Sequence, residues 1–224
     1  MAGEPLLEIR TAADADAASV AAVVVRAYAN EQGWVSDAEL VTGERTSPDQ
    51  VRSMIRAPRS VVLVAVHDAT IVATCHLRAS DRATAHLGML AVDPAWQSRG
   101  ISRRLRTAAI AYAEEALACD SVELEVLSVH EGLRRVYERS GFIATGETRP
   151  FPAHVARVAG LHFVVLRRSL GGSGQTADVR PERRAAAGTR RLQADPPVHG
   201  AHGGIRGGTT CPSHPGSPPR GRQP

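Results

Sequence analysis

Apolar residues recur along the chain with two periods, and the switches between them outline a domain. Leu6–Ile9 reads as a short strand, after which Thr11, Asp14 and Asp16 supply helix-start residues for an Ala/Val-rich helix running through Tyr28 and ending near Gly33. Pro48 opens a second helix with Val51, Met54 and Ile55 at helical spacing, and Pro58 closes it. Val61–His67 and Ile71–Ala79 are β-branched runs on either side of Asp68-Ala69-Thr70, which predicts an antiparallel hairpin. Ala85–Val92 is a further strand, terminated by Asp93-Pro94. From Ile101 to Ala118, apolar positions at Ile101, Leu105, Ala108, Tyr112 and Ala116 alternate with Arg103, Arg104, Arg106, Glu114 and Glu115, the pattern of a helix with one face on a sheet. Val122–Leu127 reads as a strand and Glu131–Ser140 as a helix closed by Gly141, with Phe142–Ala144 and Leu161–Leu166 as closing strands. The order β-α-α-β-β-β-α-β-α-β-β predicts an α/β domain, a mixed sheet with helices on both faces.

Composition limits that domain to residues 1–170. Residues 171–224 hold 11 of the 20 Gly and 8 of the 14 Pro and no Phe, Trp or Tyr, so they cannot build a core and are expected to form a disordered C-terminal tail. The same split divides the charge. The first 170 residues carry 19 basic and 20 acidic side chains, whereas the tail carries 8 and 3, so the net charge of +4 belongs to the tail. Every basic residue is Arg. Such a tail attracts nucleic acid through charge alone, but it lacks interleaved aromatics for base stacking, and an inert extension is the preferred reading.

Three widely spaced cysteines, Cys75, Cys119 and Cys211, suggest neither a disulfide framework nor a metal knot. His199, His202 and His214 with Cys211 show no compact zinc spacing, so no metal is expected. The longest apolar runs, Val20–Val25 and Val61–Val66, are far shorter than the ~20 residues of a bilayer span. With no basic-then-apolar leader at Met1, the expectation is a cytoplasmic protein without membrane attachment.

Chemistry concentrates after the strand end Leu90-Ala91-Val92. The segment Gln97-Ser98-Arg99-Gly100-Ile101-Ser102-Arg103 feeds a helix N-terminus, where unpaired backbone N–H groups and the helix dipole favour a phosphate. Gly100 permits close approach of a ligand to the backbone. Arg99 and Arg103 are candidates for charge-assisted hydrogen bonds to a diphosphate, and Ser102 for a hydroxyl donor. A tight strand-to-helix connection has the same composition.

Together with Val136-Tyr137-Glu138-Arg139-Ser140-Gly141-Phe142, this segment resembles the GNAT superfamily of acetyl-CoA-dependent N-acetyltransferases. Leu90–Val92 with Gln97–Ser102 resembles the family's Leu-Ala-Val strand and its Gln/Arg-x-x-Gly-x-Gly/Ala motif, and Val136–Phe142 resembles its Leu-Tyr-Glu-x-x-Gly-Phe motif. The resemblance spans about Leu6 to Leu170 and implies a mostly antiparallel central sheet. It implies that the backbone of the Leu90-Ala91-Val92 strand pairs with the pantetheine arm and that amides of Ser98–Arg103 hold the diphosphate. It further implies that Tyr137 protonates the departing thiolate and that Glu125 takes a proton from the amine. Ser102 stands where Gly or Ala is usual, and His130 stands where many members place a cofactor-contacting Asn. Relatives often form a homodimer, a state the sequence leaves open.

The residue types suit direct transfer. A neutral amine must form near pH 7, so a carboxylate or histidine has to accept a proton, and a tyrosine with a pKa of ~10 stays protonated and can give one. His86 is the rival base. Tyr137 equally has the spacing of a packed aromatic after Leu133, and Glu125 between Leu124 and Val126 equally reads as a solvated strand position. Tyr28, Glu31, Trp34, Glu39 and an Arg149-Pro150-Phe151-Pro152 turn are the candidate acceptor contacts. The expected reaction moves an acetyl group to a primary amine of a small molecule. Transfer to a protein or peptide N-terminus, and a non-catalytic acyl-CoA sensor, are the alternatives.

Overall fold

The structure, a computed structural model, describes residues 7–29, 45–79 and 82–171. Seven strands form one sheet: β1 (Glu8–Thr11), β2 (Ser60–His67), β3 (Thr70–Ala79), β4 (Thr84–Val92), β5 (Ser121–Leu127), β6 (Ile143–Pro150) and β7 (His162–Ser169). Four helices accompany it: α1 (Ala17–Ala29), α2 (Pro48–Arg56), α3 (Ile101–Glu115) and α4 (Glu131–Glu138). The strand order is β1-β2-β3-β4-β5-β7-β6, and every neighbouring pair is antiparallel except β4 and β5. The predicted element order, the mixed and mostly antiparallel sheet, and the helices on both faces are therefore present. No helix among the described residues is long and apolar enough to cross a membrane.

Local chemistry sets the boundaries. Ser47 accepts a hydrogen bond from the Gln50 backbone while the Gln50 side chain returns to the Ser47 N–H, and Pro48 sits at the first helical position of α2. Asp68 and Ala69 both take positive φ, as the tight β2–β3 hairpin requires. After α4 the chain exits through Gly141 at φ +83, the Phe142 N–H reaches back to the Tyr137 carbonyl, and the Phe142 ring packs edge-on against Tyr137.

Two apolar layers sandwich the sheet. On one face α1 and α2 bury Val20, Val23, Val24 and Val51 against Val62 and Val64 of β2. On the other, Ile101, Leu105, Ala109 and Ala113 of α3 pack on Leu63, Cys75, Leu77 and Leu124, joined by Tyr137 and Phe142. Cys75 and Cys119 are buried thiols outside any disulfide, and burial pushes the Cys75 thiol up to about 12. Cys211 lies outside the described residues, as does the rest of the predicted tail from residue 172 onward.

Several boundaries differ from the sequence reading. The first strand begins at Glu8, and α3 stops at Glu115 instead of Ala118. The largest change is β6, expected to end at Ala144, which continues to Pro150. Its side chains are mostly exposed, with Ile143 74% accessible, so it carries no apolar alternation. It is an edge strand held by its pairing with β7, and Arg149-Pro150 belongs to that strand, not to a turn.

A buried imidazole gives the fold a pH dependence. His76 of β3 shares a 2.8 Å hydrogen bond with the Ser60 hydroxyl, and burial, helped by His86 and Arg78, lowers its pKa to about 4. The unfolded chain takes up this proton near pH 6.5 and the folded chain does not until near 4, so acidification through that window favours unfolding. In urea titrations at pH 7 and pH 4.5, the wild type is expected to lose about 2 kcal/mol more stability between the two pH values than His76→Asn does.

Candidate active site

One extra residue in β4 creates the site. Thr74 of β3 pairs with Ala91, but His76, two residues on, pairs with Gly88, three residues back, so β4 bulges there and Met89 is forced to φ +50. The bulge flips the strand's alternation. Ala85 and Leu87 belong to the α3 side of the sheet, whereas Met89 and Ala91 belong to the α1 side. It also turns β4 away from β5. The two parallel strands pair at Thr84–Ser121, Ala85–Val122 and His86–Glu123 and not beyond. A cleft of about 520 Å³ fills the gap, lined by Leu87–Val92 on one wall and Leu124–Leu127 on the other, a volume suited to a small-molecule ligand.

One end of the cleft reaches the start of α3. Asp93 caps the short turn Pro94–Trp96, and the Gln97 side chain donates to the Val92 carbonyl at 3.2 Å. Ser98 and Gly100 then take φ of +62 and +73, left-handed conformations of the kind that gather backbone N–H groups into a concavity suited to an anion. Gly100 is the N-cap and no side chain caps the helix, so the first-turn amides of Ile101, Ser102 and Arg103 remain available. Of the residues the sequence reading offered to a cofactor, Leu90, Ala91, Val92, Gln97, Ser98, Gly100, Ile101, Ser102 and His130 line this one cleft. Arg99 and Arg103 are not among its lining residues. Arg99 instead lies over the Trp96 ring at 4.8 Å and donates to the Ala95 carbonyl, and Arg103 is exposed.

Glu125 occupies the β5 wall. The sequence allowed a solvated strand position, yet its side chain is only 4% exposed. Arg149 holds its Oε1 at 2.7 Å, while Oε2 is buried without a hydrogen-bond partner. Arg149 also binds Glu123 at 2.6 Å and Glu147 at 2.9 Å, and Arg167 closes on the other oxygen of Glu123 at 2.6 Å. Burial alone would raise the Glu123 carboxyl, but Arg167 and Arg149 outweigh it and hold it below the usual carboxylate range. The rival base, His86, sits at the last paired position of β4 and does not line the cleft. Its Nε2 is buried and unpartnered, and burial keeps the ring neutral against the pull of Glu125 and Glu123. Of the candidate acceptor contacts, Tyr28 lines the cleft, while Glu31, Trp34 and Glu39 lie outside the described residues.

Tyr137 lines the cleft from α4 and is 8% exposed, a packed aromatic at the cleft wall. Burial raises its phenol well above the ordinary value, which keeps it protonated. Beside it is a residue the sequence reading assigned to the solvated face of α3. Arg106 is 6% exposed, lines the cleft, and places its guanidinium carbon 5.6 Å from the Tyr137 ring centre. The signal was available: residues 101, 105, 106, 109, 110 and 113 form one buried stripe on α3, with Arg106 inside it.

Comparison with known proteins agrees with this geometry. The sequence profile of the Acetyltransferase (GNAT) family matches residues 31–142, half of the chain. No curated protein is similar enough in sequence to count as a relative. Among solved structures, the ribosomal-protein-S18-alanine N-acetyltransferase of Escherichia coli superposes with a TM-score of 0.58 at 16% identity, covering 78% of this chain and all of that one. The Salmonella typhimurium protein yncA, solved with its cofactor acetyl-CoA, gives 0.58 at 20% identity over 77% and 98% of the two chains. The PaiA N-acetyltransferase of Thermoplasma acidophilum, in complex with coenzyme A, gives 0.56 at 15% over 74% and 99%. At these identities the likeness establishes a shared fold.

The carboxylate clamp yields a stability prediction. In Arg149→Met, Glu125 loses its ion-pair partner and Glu123 keeps Arg167, leaving buried charge uncompensated. With Arg149 itself 29% exposed, the expected loss at pH 7 is about 2 kcal/mol, below the range for a fully buried pair. The Glu123 part of that contribution is present above the carboxyl's unfolded pKa of roughly 4.5 and is lost as pH falls through its lower folded value, so the gap between wild type and variant in urea titrations should narrow on acidification below that pH.

Proposed function

The chain belongs to the acetyltransferase (GNAT) family, a family of acyltransferase enzymes, and we propose that it moves an acetyl group from acetyl-CoA to a primary amine of a small molecule by direct attack, with both substrates bound. The observation that carries this reading is the unpaired edge of β4 from Leu87 to Val92, which opens on a cleft ending at the uncapped N-terminus of α3. Those residues fit a long thioester carrying a diphosphate. The strand edge offers main-chain hydrogen bonds to its amide-containing arm, and the amides around Ser98–Arg103 face its negative end. When bound, acetyl-CoA supplies an activated acyl carbon and a thiolate leaving group.

The chain's own groups then divide the work. Glu125 Oε2 receives the proton that the amine loses as its nitrogen bonds to the acyl carbon. The fixed Oε1–Arg149 bond leaves Oε2 as the oxygen available to that nitrogen. His86, outside the cleft, is left to the surrounding charge balance. Backbone N–H groups at the β4 bulge stabilise the negative charge that develops on the acyl oxygen. Tyr137 gives its proton to sulfur as the carbon–sulfur bond breaks. A small-molecule acceptor suits the burial of Glu125, a cleft-lining residue whose side chain is 4% exposed.

Thiol release measured across a panel of small amines and N-terminal peptides checks the reaction. Turnover with small amines is expected; turnover confined to peptides moves the acceptor class, and saturable acetyl-CoA binding without turnover on any amine replaces the enzyme with a sensor. Glu125→Gln is expected to lower kcat by about 10²-fold or more while leaving acetyl-CoA affinity by calorimetry near the wild-type value. Gly100→Glu should show the opposite split, because its side chain brings negative charge to the α3 N-terminus and its φ of +73 disfavours any side chain.

A further inference from the structure

Arg106 is a buried cation whose partners do not neutralise it. Its Nη2 donates to the Ser140 hydroxyl at 2.8 Å, and that hydroxyl donates to the Val136 carbonyl, so the guanidinium is anchored to the end of α4. The ionisable groups acting on it are Tyr137, Arg103 and Arg168, with no carboxylate among the described residues. Burial lowers its affinity for the proton, and the two neighbouring arginines lower it further. A desolvated guanidinium is stabilised by an anion close by. The described fold supplies none, and Arg106 faces a cleft in which the proposed reaction releases one.

We propose that Arg106 is a positioning residue for the leaving group: through Tyr137 it stabilises the negative charge shared between the Tyr137 hydroxyl and the departing sulfur. This rests on the acetyl-transfer reading above. As the carbon–sulfur bond breaks, its electron pair stays on sulfur, the Tyr137 O–H proton passes to it, and the phenolate so formed carries the Arg106 guanidinium over its ring, 5.6 Å from the ring centre. Solvent restores the phenol proton after coenzyme A departs. The other groups acting on Tyr137 are Tyr28 from α1 and Cys75 from β3, and both disfavour the phenolate. Among these groups Arg106 is the one that favours it.

The test compares the affinities of coenzyme A and acetyl-CoA for the full chain by calorimetry between pH 7 and 8.5, in wild type, Arg106→Met and Arg106→Lys. A free thiol titrates near 8.5, and a cation that lowers the thiol–phenol pair by about one pH unit makes coenzyme A gain about fourfold on acetyl-CoA across that range. The wild type should show this gain, Arg106→Met should lose it with acetyl-CoA affinity retained, and Arg106→Lys should keep part of it. A flat ratio in the wild type, or the same gain in Arg106→Met, overturns the proposal. If Arg106→Met does not fold, the Lys variant decides, since a structural role alone predicts no change in the pH dependence. Failure of the wild type to bind either compound overturns the acetyl-transfer reading instead.

Discussion

The unmade hydrogen bonds between β4 and β5 are what the rest of the molecule is arranged around. Buried backbone N–H and C=O groups are normally paired, and a parallel sheet that stops pairing after His86–Glu123 exposes a strand edge inside the domain. A single inserted residue achieves this. Met89 at φ +50 shifts the β3–β4 register, sends the following side chains to the opposite face, and bends the strand while both apolar layers stay intact. The strand loses pairing without losing burial, because Met89 and Ala91 pack under α1 where Ala85 and Leu87 packed over α3. A polar ligand edge is thereby built into a hydrophobic interior.

Electrically, the two walls of that opening are treated differently. The β5 wall carries acidic groups that are compensated in place. Across the sheet, Arg78, His86, Glu123 and Arg167 fall on directly opposed positions of four strands, and Arg149 reaches in from the edge strand to bind both Glu123 and Glu125. Buried ion pairs of this kind are weak sources of stability, since desolvation offsets much of the attraction. Their consequence here is geometric: one oxygen of Glu125 is fixed by Arg149 and the other is left buried without a hydrogen-bond partner. On the opposite wall, α3 brings backbone amides at its start and the guanidinium of Arg106 further along, positive groups without a matching acid. In the proposed acetyl transfer, that places the proposed base on one wall and the groups proposed to hold negative charge on the other.

Much of this was legible from the linear chain because it rests on short-range rules. Periodicity located the strands and helices, Pro48, Pro58 and Gly141 marked boundaries, and Gly100 with the flanking residues marked the start of α3 as the candidate anion site. The resemblance carried by Val136–Phe142 singled out Tyr137, and that residue lines the same cleft. Edge strand β6 was shortened because an exposed strand has no apolar alternation to detect, and with it went the location of Arg149.

What the amino-acid order determined, then, was the set of elements, their succession and the groups offered to a phosphate, all consequences of backbone preference and one-dimensional pattern. Only the folded chain decided that β4 and β5 part company, that Glu125 is clamped by an arginine 24 residues away, and that Arg106 is turned inward beside Tyr137. These depend on register, burial and the pairing of charges distant in sequence. A strand's extra residue and a helix's buried cation have meaning only once their neighbours in space are fixed.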